Sequence, residues 1–436
     1  MNALSFIILT SKPYSSFMHK RTFLKSITLA GLGLPQLGKS NTSSLISIPL
    51  DPAPLVAKDE KFWKSVRALY KIKSDYINLE SGYYNMLPEE TLEQYMAIIK
   101  EVNYHASFYM RTRQFKERAV QNKLIAQFLG GSEDEIVLTR NTTESLDLII
   151  SGYPWQTGDE AIFAEQDYGA MIDMFKQVAK RHGVVNKMVS IPNIPQSDEE
   201  IVSIYEKAIT PKTKLIMICH IINITGQILP VKKICDMAHK HGVEVMVDGA
   251  HAVAQIQFNI NELGCDYYGA SLHKWLAVPL GVGVLYVKKE HQSKIWPLIG
   301  ENESIQGINR LNHFGTNPVH TYLALQFAIN FHEKIGAANK EERLRFLQQY
   351  WTSKVASIPN IILNTPTESK RSCAIANVGI KGLKPAEMAE TLLKKYRIYT
   401  VAIDSAGVHG CRITPNVFTT LEDLDKFVNA LKEMTA

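Results

Sequence analysis

No acidic residue appears before Asp51, although 43 Asp and Glu follow in a chain of 436 residues. The same opening stretch carries Lys12, Lys20, Arg21, Lys25 and Lys39; without those five the chain holds 43 basic against 43 acidic residues. The net charge of +5 is therefore a property of the N-terminus. The rest of the chain lacks the basic clustering that a nucleic-acid footprint requires, so no nucleic-acid partner is expected. Cysteine is sparse as well: Cys219, Cys235, Cys265, Cys373 and Cys411 include no close pair. That spacing gives neither a disulfide framework nor a zinc motif, and no metal site is expected. Internal repeats and long apolar runs are absent, so no transmembrane helix is expected.

The acid-free N-terminus has its own pattern. Met18-His-Lys-Arg-Thr-Phe-Leu-Lys precedes the short apolar run SITLAGLGLP, the layout of a signal peptide. The spacing Lys20-Arg21-x-Phe23-Leu24-Lys25 resembles a twin-arginine export signal with lysine in the first arginine position. Residues 1–40 are read as this targeting segment, with translation starting at Met18. Export machinery is then a partner, and the periplasm or envelope the destination; the plainer alternative is a frayed terminus on a cytoplasmic protein. The polar, Pro-rich stretch Ser40–Pro54 opens a linker and N-terminal segment, 41–75.

From about Phe115 the apolar pattern alternates between strand and helix. Helices are expected over Phe115–Leu129, Thr142–Ser151, Met171–His182 and Val231–His241. Strands are expected over Glu135–Thr139, Ala161–Ala164, Leu215–His220 and Val243–Val247. Such alternation predicts an α/β fold, a mainly parallel sheet flanked by helices, over a large domain at 76–335. A smaller α+β domain is expected over 336–436. Its elements are helices at Lys340–Ser357, Pro385–Tyr396 and Leu421–Glu433 and strands at Cys373–Val378 and Ile398–Ala402.

Four separated stretches carry candidate chemistry. In TRNTTES, Thr142 and Thr143 open a helix after a strand, where free N–H groups and the dipole favour an anion; equally, Asn141 or Thr142 is a plain N-cap. In VMVDGAH, Asp248 ends an apolar strand, the place where α/β ligands bind; its alternative is a loop turn. In SLHKW, Lys274 is the only lysine of the run Ala270–Val287. A desolvated lysine loses its proton easily, and the free amine attacks carbonyls. Gly281 and Gly283 follow, as if to let backbone approach closely. In FGTNP, Gly315 and Thr316 form a turn before a helix, either a second phosphate edge or only a helix start. Phosphate cradle, ring-nitrogen aspartate and Schiff-base lysine together are the fittings of pyridoxal 5'-phosphate.

From about Tyr76 onward the sequence resembles the class V aminotransferases, a branch of the type I pyridoxal-phosphate fold. It is nearest to the isopenicillin-N-epimerase-like and cysteine-desulfurase-like proteins. The matching motifs are TRNTTES, VDGAHA, SLHKW with its PxGxG tail, FGT and CRITPNVFTT. The resemblance implies that Lys274 carries the cofactor and moves the substrate α-proton, while Asp248 pairs with the ring nitrogen. It implies that Thr142, Thr143, Ser271 and His273 hold the phosphate and that Asn223 and His251 lie near the phenolic oxygen. Tyr168 takes the position of a ring-stacking aromatic. Gly315 and Thr316 would reach the phosphate of a neighbouring subunit, making a homodimer with shared sites. Arg412 matches the arginine that holds the substrate carboxylate. Tyr83, Tyr84 and Asn85, in ESGYYN, are substrate-contact candidates. Arg111 and Arg113 either bind a second acidic group or make surface salt bridges.

The segment before Arg412, YTVAIDSAGVHG, has no cysteine where desulfurases carry a nucleophile on a mobile loop. The expectation is therefore an aminotransferase or epimerase acting at the α-carbon of an amino acid or amino-acid-containing peptide. A C–S or other β-lyase is the alternative enzyme. A cofactor-bound protein without turnover is the alternative outside enzymes.

Overall fold

The computed structural model describes residues 49–436 apart from Ser74 and Glu301. The expected targeting segment, and the linker up to residue 48, lie outside the described residues. Beyond them the N-terminal segment forms two helices, Ala53–Val56 and Glu60–Arg67. Pro52 caps the first; Asp59 caps the second through the Lys61 and Phe62 N–H groups, a cap an acidic side chain makes well.

Thirteen strands follow among the described residues. The first is β1 (Ile77–Asn78), and seven build the central sheet: β2 (Ile136–Thr139), β3 (Glu160–Ala164), β4 (Val185–Val189), β5 (Thr213–Cys219), β6 (Glu244–Asp248), β7 (Tyr267–Ser271) and β8 (Gly283–Val287). Their order is β2-β8-β7-β6-β5-β3-β4. Pairing is parallel from β7 to β4, while β8 runs antiparallel to both β2 and β7. All residues of β2, β3, β7 and β8 are buried, as expected for a sheet covered on both faces. Two apolar cores result, one around Ile218, Val247 and Trp275, the other around Leu146, Phe163 and Phe175.

A smaller C-terminal β-rich subdomain packs around Trp351, Phe427 and Ile413. Its strands are β9 (Ile361–Leu363), β10 (Ala376–Ile380), β11 (Ile398–Tyr399), β12 (Val401–Ser405) and β13 (Val408–Ile413). Four of them form an antiparallel sheet in the order β12-β13-β10-β9, and β11 pairs in parallel with β1. The fold is α/β, as the alternation predicts, with the type I pyridoxal-phosphate architecture that the resemblance implies.

Most expected elements appear within two residues of their limits; the helix expected over Lys340–Ser357 runs Ala337–Val355, and two strands differ for physical reasons. The expected strand Cys373–Val378 is Ala376–Ile380, because Ala374 N–H bonds the Gln255 side chain rather than a strand partner. The expected strand Ile398–Ala402 is two strands, β11 joining β1 and β12 joining β13. The segment before Arg412 is a hairpin turning at Ala406 and Gly407, both with left-handed φ. Among the described residues no helix is long and apolar enough to cross a membrane.

Candidate active site

Strand order decides where the chemistry collects. Asp248 and Ser271 are the last residues of the neighbouring parallel strands β6 and β7, so both emerge at one sheet edge. The loop after β7 carries His273 and Lys274 and folds back as β8 through a turn with Ala277 at φ +58°. The loop after β6 carries His251 and has Ala254 at φ +62°. Alanine in the left-handed region costs about 1 kcal/mol or more, so both loops hold their shape against local preference.

The phosphate side is built by the helix Thr142–Gly152. Asn141 caps it by accepting from Glu144 N–H at 2.8 Å, so the cap reading holds for Asn141. Ser271 Oγ accepts from Thr142 N–H at 2.9 Å and lies 2.7 Å from Thr142 Oγ1. Gly283 makes this meeting possible: a Cβ there would lie 2.7 Å from the Asn141 backbone N and Cα. Gly281 has a different role from the close approach expected of it. Open space surrounds its Cβ position, and its φ of +92° is what requires glycine.

Lys274 Nζ lies 3.2 Å from His251 Nε2, and Trp275 Nε1 donates to His251 Nδ1 at 3.3 Å. Burial holds the His251 imidazole neutral, well below the usual histidine range, with the Lys274 charge acting in the same direction. A neutral ring accepting at Nδ1 carries its hydrogen on Nε2. Its Nε2 hydrogen then points toward Lys274 Nζ, an arrangement that favours the deprotonated amine. Burial lowers the Lys274 ammonium to about 8; Asp248 pulls the other way and Arg412 adds to the lowering. Lys340, buried on the helix Ala337–Val355, donates from Nζ to the Trp275 carbonyl and steadies this loop. Asp248 accepts from Ala250 N–H at 2.9 Å, and burial raises its carboxyl against the pull of Lys274.

The remaining expected residues divide. Asn85 joins the cluster, its backbone N–H donating to His273 O at 3.1 Å. Asn223 joins it too, its carbonyl accepting from Arg412 Nη1 at 3.3 Å. Tyr168 caps the helix Gly169–His182 beside Cys219, the β5 partner of Asp248, and is 45% exposed. Thr143 lines a cavity of about 1010 Å³. Gly315 and Thr316 line another cavity, of about 900 Å³, together with Arg111. Tyr83 is 72% exposed. Arg113 is spent on Glu101 and Glu117 at 2.8 and 2.9 Å, the salt-bridge outcome.

Two residues without a sequence-based role enter the site, Lys340 and Glu80. Glu80 accepts from Arg412 Nε at 3.1 Å and Nη2 at 2.6 Å. Asp266, Glu290 and His291 also come together, but Asp266 is already engaged by His239, His291 and Val245 N–H. Cys411 is buried in β13, its thiol pushed up to about 11 by burial, and all five cysteines are buried.

The site fits pyridoxal phosphate on its own terms. Two buried polar atoms, His273 Nδ1 and Asn223 Oδ1, have no hydrogen-bond partner among the described residues. Such atoms cost about 1–3 kcal/mol unless a ligand satisfies them. Thr142, Ser271 and His273 would hold the phosphate, Asp248 the ring nitrogen, and Lys274 the aldehyde carbon.

The class-V aminotransferase pattern matches residues 85–427. The chain is 26% identical to isopenicillin N epimerase of Streptomyces clavuligerus over 397 residues, 86% of this chain and 98% of that protein. It is 30% identical to a probable cysteine desulfurase of Halalkalibacterium halodurans over 276 residues, 60% of this chain and 66% of the relative. The solved complex of a cystine C–S lyase with its reaction product, cysteine persulfide, superimposes with a TM-score of 0.74 at 22% identity, covering 83% of this chain and 98% of the lyase. The chain therefore belongs to the class-V aminotransferases and is a pyridoxal-phosphate-dependent enzyme.

Proposed function

We propose that the chain is a β-lyase that acts on an amino-acid substrate bearing a sulfur or similar leaving group at the β-carbon. The observation that carries this reading is the Lys274–His251 contact, which holds a desolvated amine in the loop after β7. The cofactor, when bound, supplies an aldehyde that captures the substrate amine and a ring that draws electrons from the α-carbon. Lys274, once released, takes the α-proton on Nζ. The electron pair forms the Cα–Cβ double bond, sulfur leaves as thiolate, and water completes the release of ammonia and an oxo product. Asp248 keeps the ring electron-poor, and His251 orients the Lys274 lone pair. No cysteine is required, in keeping with five buried thiols and a hairpin where a nucleophilic loop would be.

The transaminase or epimerase expected from the sequence becomes the second reading. It is favoured by the match to isopenicillin N epimerase along 98% of that protein. The names desulfurase and lyase, which recur among the other relatives and solved neighbours, support elimination. We read the enzyme as a homodimer, built of a large domain at 76–335 and a small one at 336–436. Gly315 and Thr316, facing a cavity apart from Ser271, would serve the neighbouring subunit.

The test is incubation of holoenzyme in D2O with S-methyl-L-cysteine and with its amide. Released methanethiol and ammonia establish elimination. Deuterium at a racemised α-carbon without thiol release establishes epimerisation instead. A 2-oxo acid that keeps its thioether establishes transamination, and none of these changes, in protein whose cofactor band responds to the amines, leaves the non-catalytic binding protein.

A further inference from the structure

The Arg412–Glu80 pair sits where the family places its carboxylate receptor, and it is closed. Both hydrogens on one fork of the guanidinium go to Glu80, and Nη1 donates to the Asn223 carbonyl. The two side chains are 7% and 3% exposed. A substrate carboxylate has two ways in. It can displace Glu80, or it can bind the remaining edge of Arg412 with Glu80 in place.

Displacement is opposed by the whole Glu80 segment. Leu79 N–H bonds Tyr399 O, Thr414 N–H bonds Leu79 O at 2.7 Å, and Glu80 pairs with Thr414 in a parallel bridge. The Ser81 and Gly82 N–H groups both donate to Thr414 Oγ1 at 2.6 and 3.1 Å. At Gly82 a Cβ would lie 3.2 Å from Glu80 Oε1 and 3.3 Å from Arg412 Cζ, so glycine lets this segment close over the pair. Separating a buried pair also strands a charge, at a cost of about 3–5 kcal/mol. Binding beside Glu80 sets two carboxylates on one cation. Among the described residues nearby, His251 and His273 are neutral and Lys274 would be engaged by the cofactor, so none offsets that repulsion.

We propose that Glu80 is a specificity-determining residue that cancels the charge of Arg412, so that the site selects amines whose carbonyl end is uncharged, an amide or a peptide bond, over free amino acids. Glu80 acts through Arg412 and has no part in bond breaking. The proposal rests on the reading of this site as one where a bound aldehyde captures a substrate amine.

The experiment titrates the cofactor absorbance band of the holoenzyme with glycine and with glycinamide. Dissociation constants are corrected for the neutral-amine fraction of each. Wild-type protein is expected to bind glycinamide at least as tightly as glycine. In Glu80→Gln the ratio should move toward glycine by about tenfold or more, because a unit charge is unmasked a few ångströms from the ligand carboxylate. A wild-type preference for glycine of about tenfold or more overturns the proposal without need of the variant. So does a ratio unchanged in folded Glu80→Gln. A band that neither amine moves overturns the amine-capture reading itself, and the proposal with it.

Discussion

The two ends of this site are finished to different degrees. At the cofactor end, His273 Nδ1 and Asn223 Oδ1 lack partners among the described residues, and Lys274 is desolvated without a directly paired counter-ion. At the far end, Arg412 is hydrogen-bonded by Glu80 and by the Asn223 carbonyl. Incomplete groups are held at an energetic cost until a ligand completes them, whereas completed groups resist any ligand that must replace a partner. The first end is built to receive and the second to discriminate.

The largest effect should come from removing the receiving group. Lys274→Ala is expected to lower turnover by about 10²–10⁴-fold, the usual worth of a positioned base. Because Lys274 is partly desolvated without a carboxylate hydrogen-bonded to it, its loss should leave the thermal midpoint unchanged or higher. Borohydride treatment followed by peptide mapping should then find no adduct on the loop 272–278. A marked fall in the melting temperature would mean that Lys274 serves the fold instead.

Breaking the discriminating end should do the opposite. Arg412→Leu strands the buried Glu80 and is expected to cost about 3–5 kcal/mol in denaturant unfolding. The double variant Glu80→Gln/Arg412→Leu should recover most of that loss, since no charge is left unpaired. A double variant as unstable as Arg412→Leu would show that packing, not charge, holds this end.

Gly283→Ala tests how closely the cradle is built. Its new Cβ meets Asn141 backbone, which cannot swing aside, and overpacking of this kind costs about 1–3 kcal/mol. The helix start should shift away from Ser271, and affinity for pyridoxal phosphate should fall with stability. Gly281→Ala, facing open space, should be limited to the backbone cost of its left-handed φ and leave affinity intact.

What was legible in the sequence follows the same divide. Asp248 and Lys274 announce themselves because one ends an apolar strand and the other closely follows one, so local pattern and site position coincide. Asn141, Thr142 and Ser271 are legible for the same reason. Glu80 was visible within ESGYYN but not interpretable, because its partner Arg412 is 332 residues away. Lys340 read as one more charge on a helix face, yet the fold buries it against a carbonyl 65 residues distant. Strand limits failed where partner choice decides them: Thr400 separates β11 from β12 only because β1 and β13 compete for the same stretch. Side-chain direction was illegible too: Thr142 meets Ser271, whereas adjacent Thr143 lines a cavity.

The smallest expected effect links the two ends. Only the neutral amine of Lys274 attacks an aldehyde, so reloading of cofactor-free protein with pyridoxal phosphate should speed up as pH rises. The ammonium is lowered to about 8, so the rate should climb about tenfold per pH unit well below that point and level off above it. Burial drops His273 to about 4, which keeps it from titrating in the same window. Glu80 contributes a weak upward pull on the Lys274 ammonium, behind the pulls of Asp248 and Arg412. Replacing its charge in Glu80→Gln therefore moves the inflection toward lower pH, measured by stopped-flow absorbance across pH 6.5 to 9.5, a range of about three units around the inflection. An inflection that moves up would mean the substitution has freed Arg412 to leave the site, and the far end would then owe its closure to Glu80 as a tether more than as a charge.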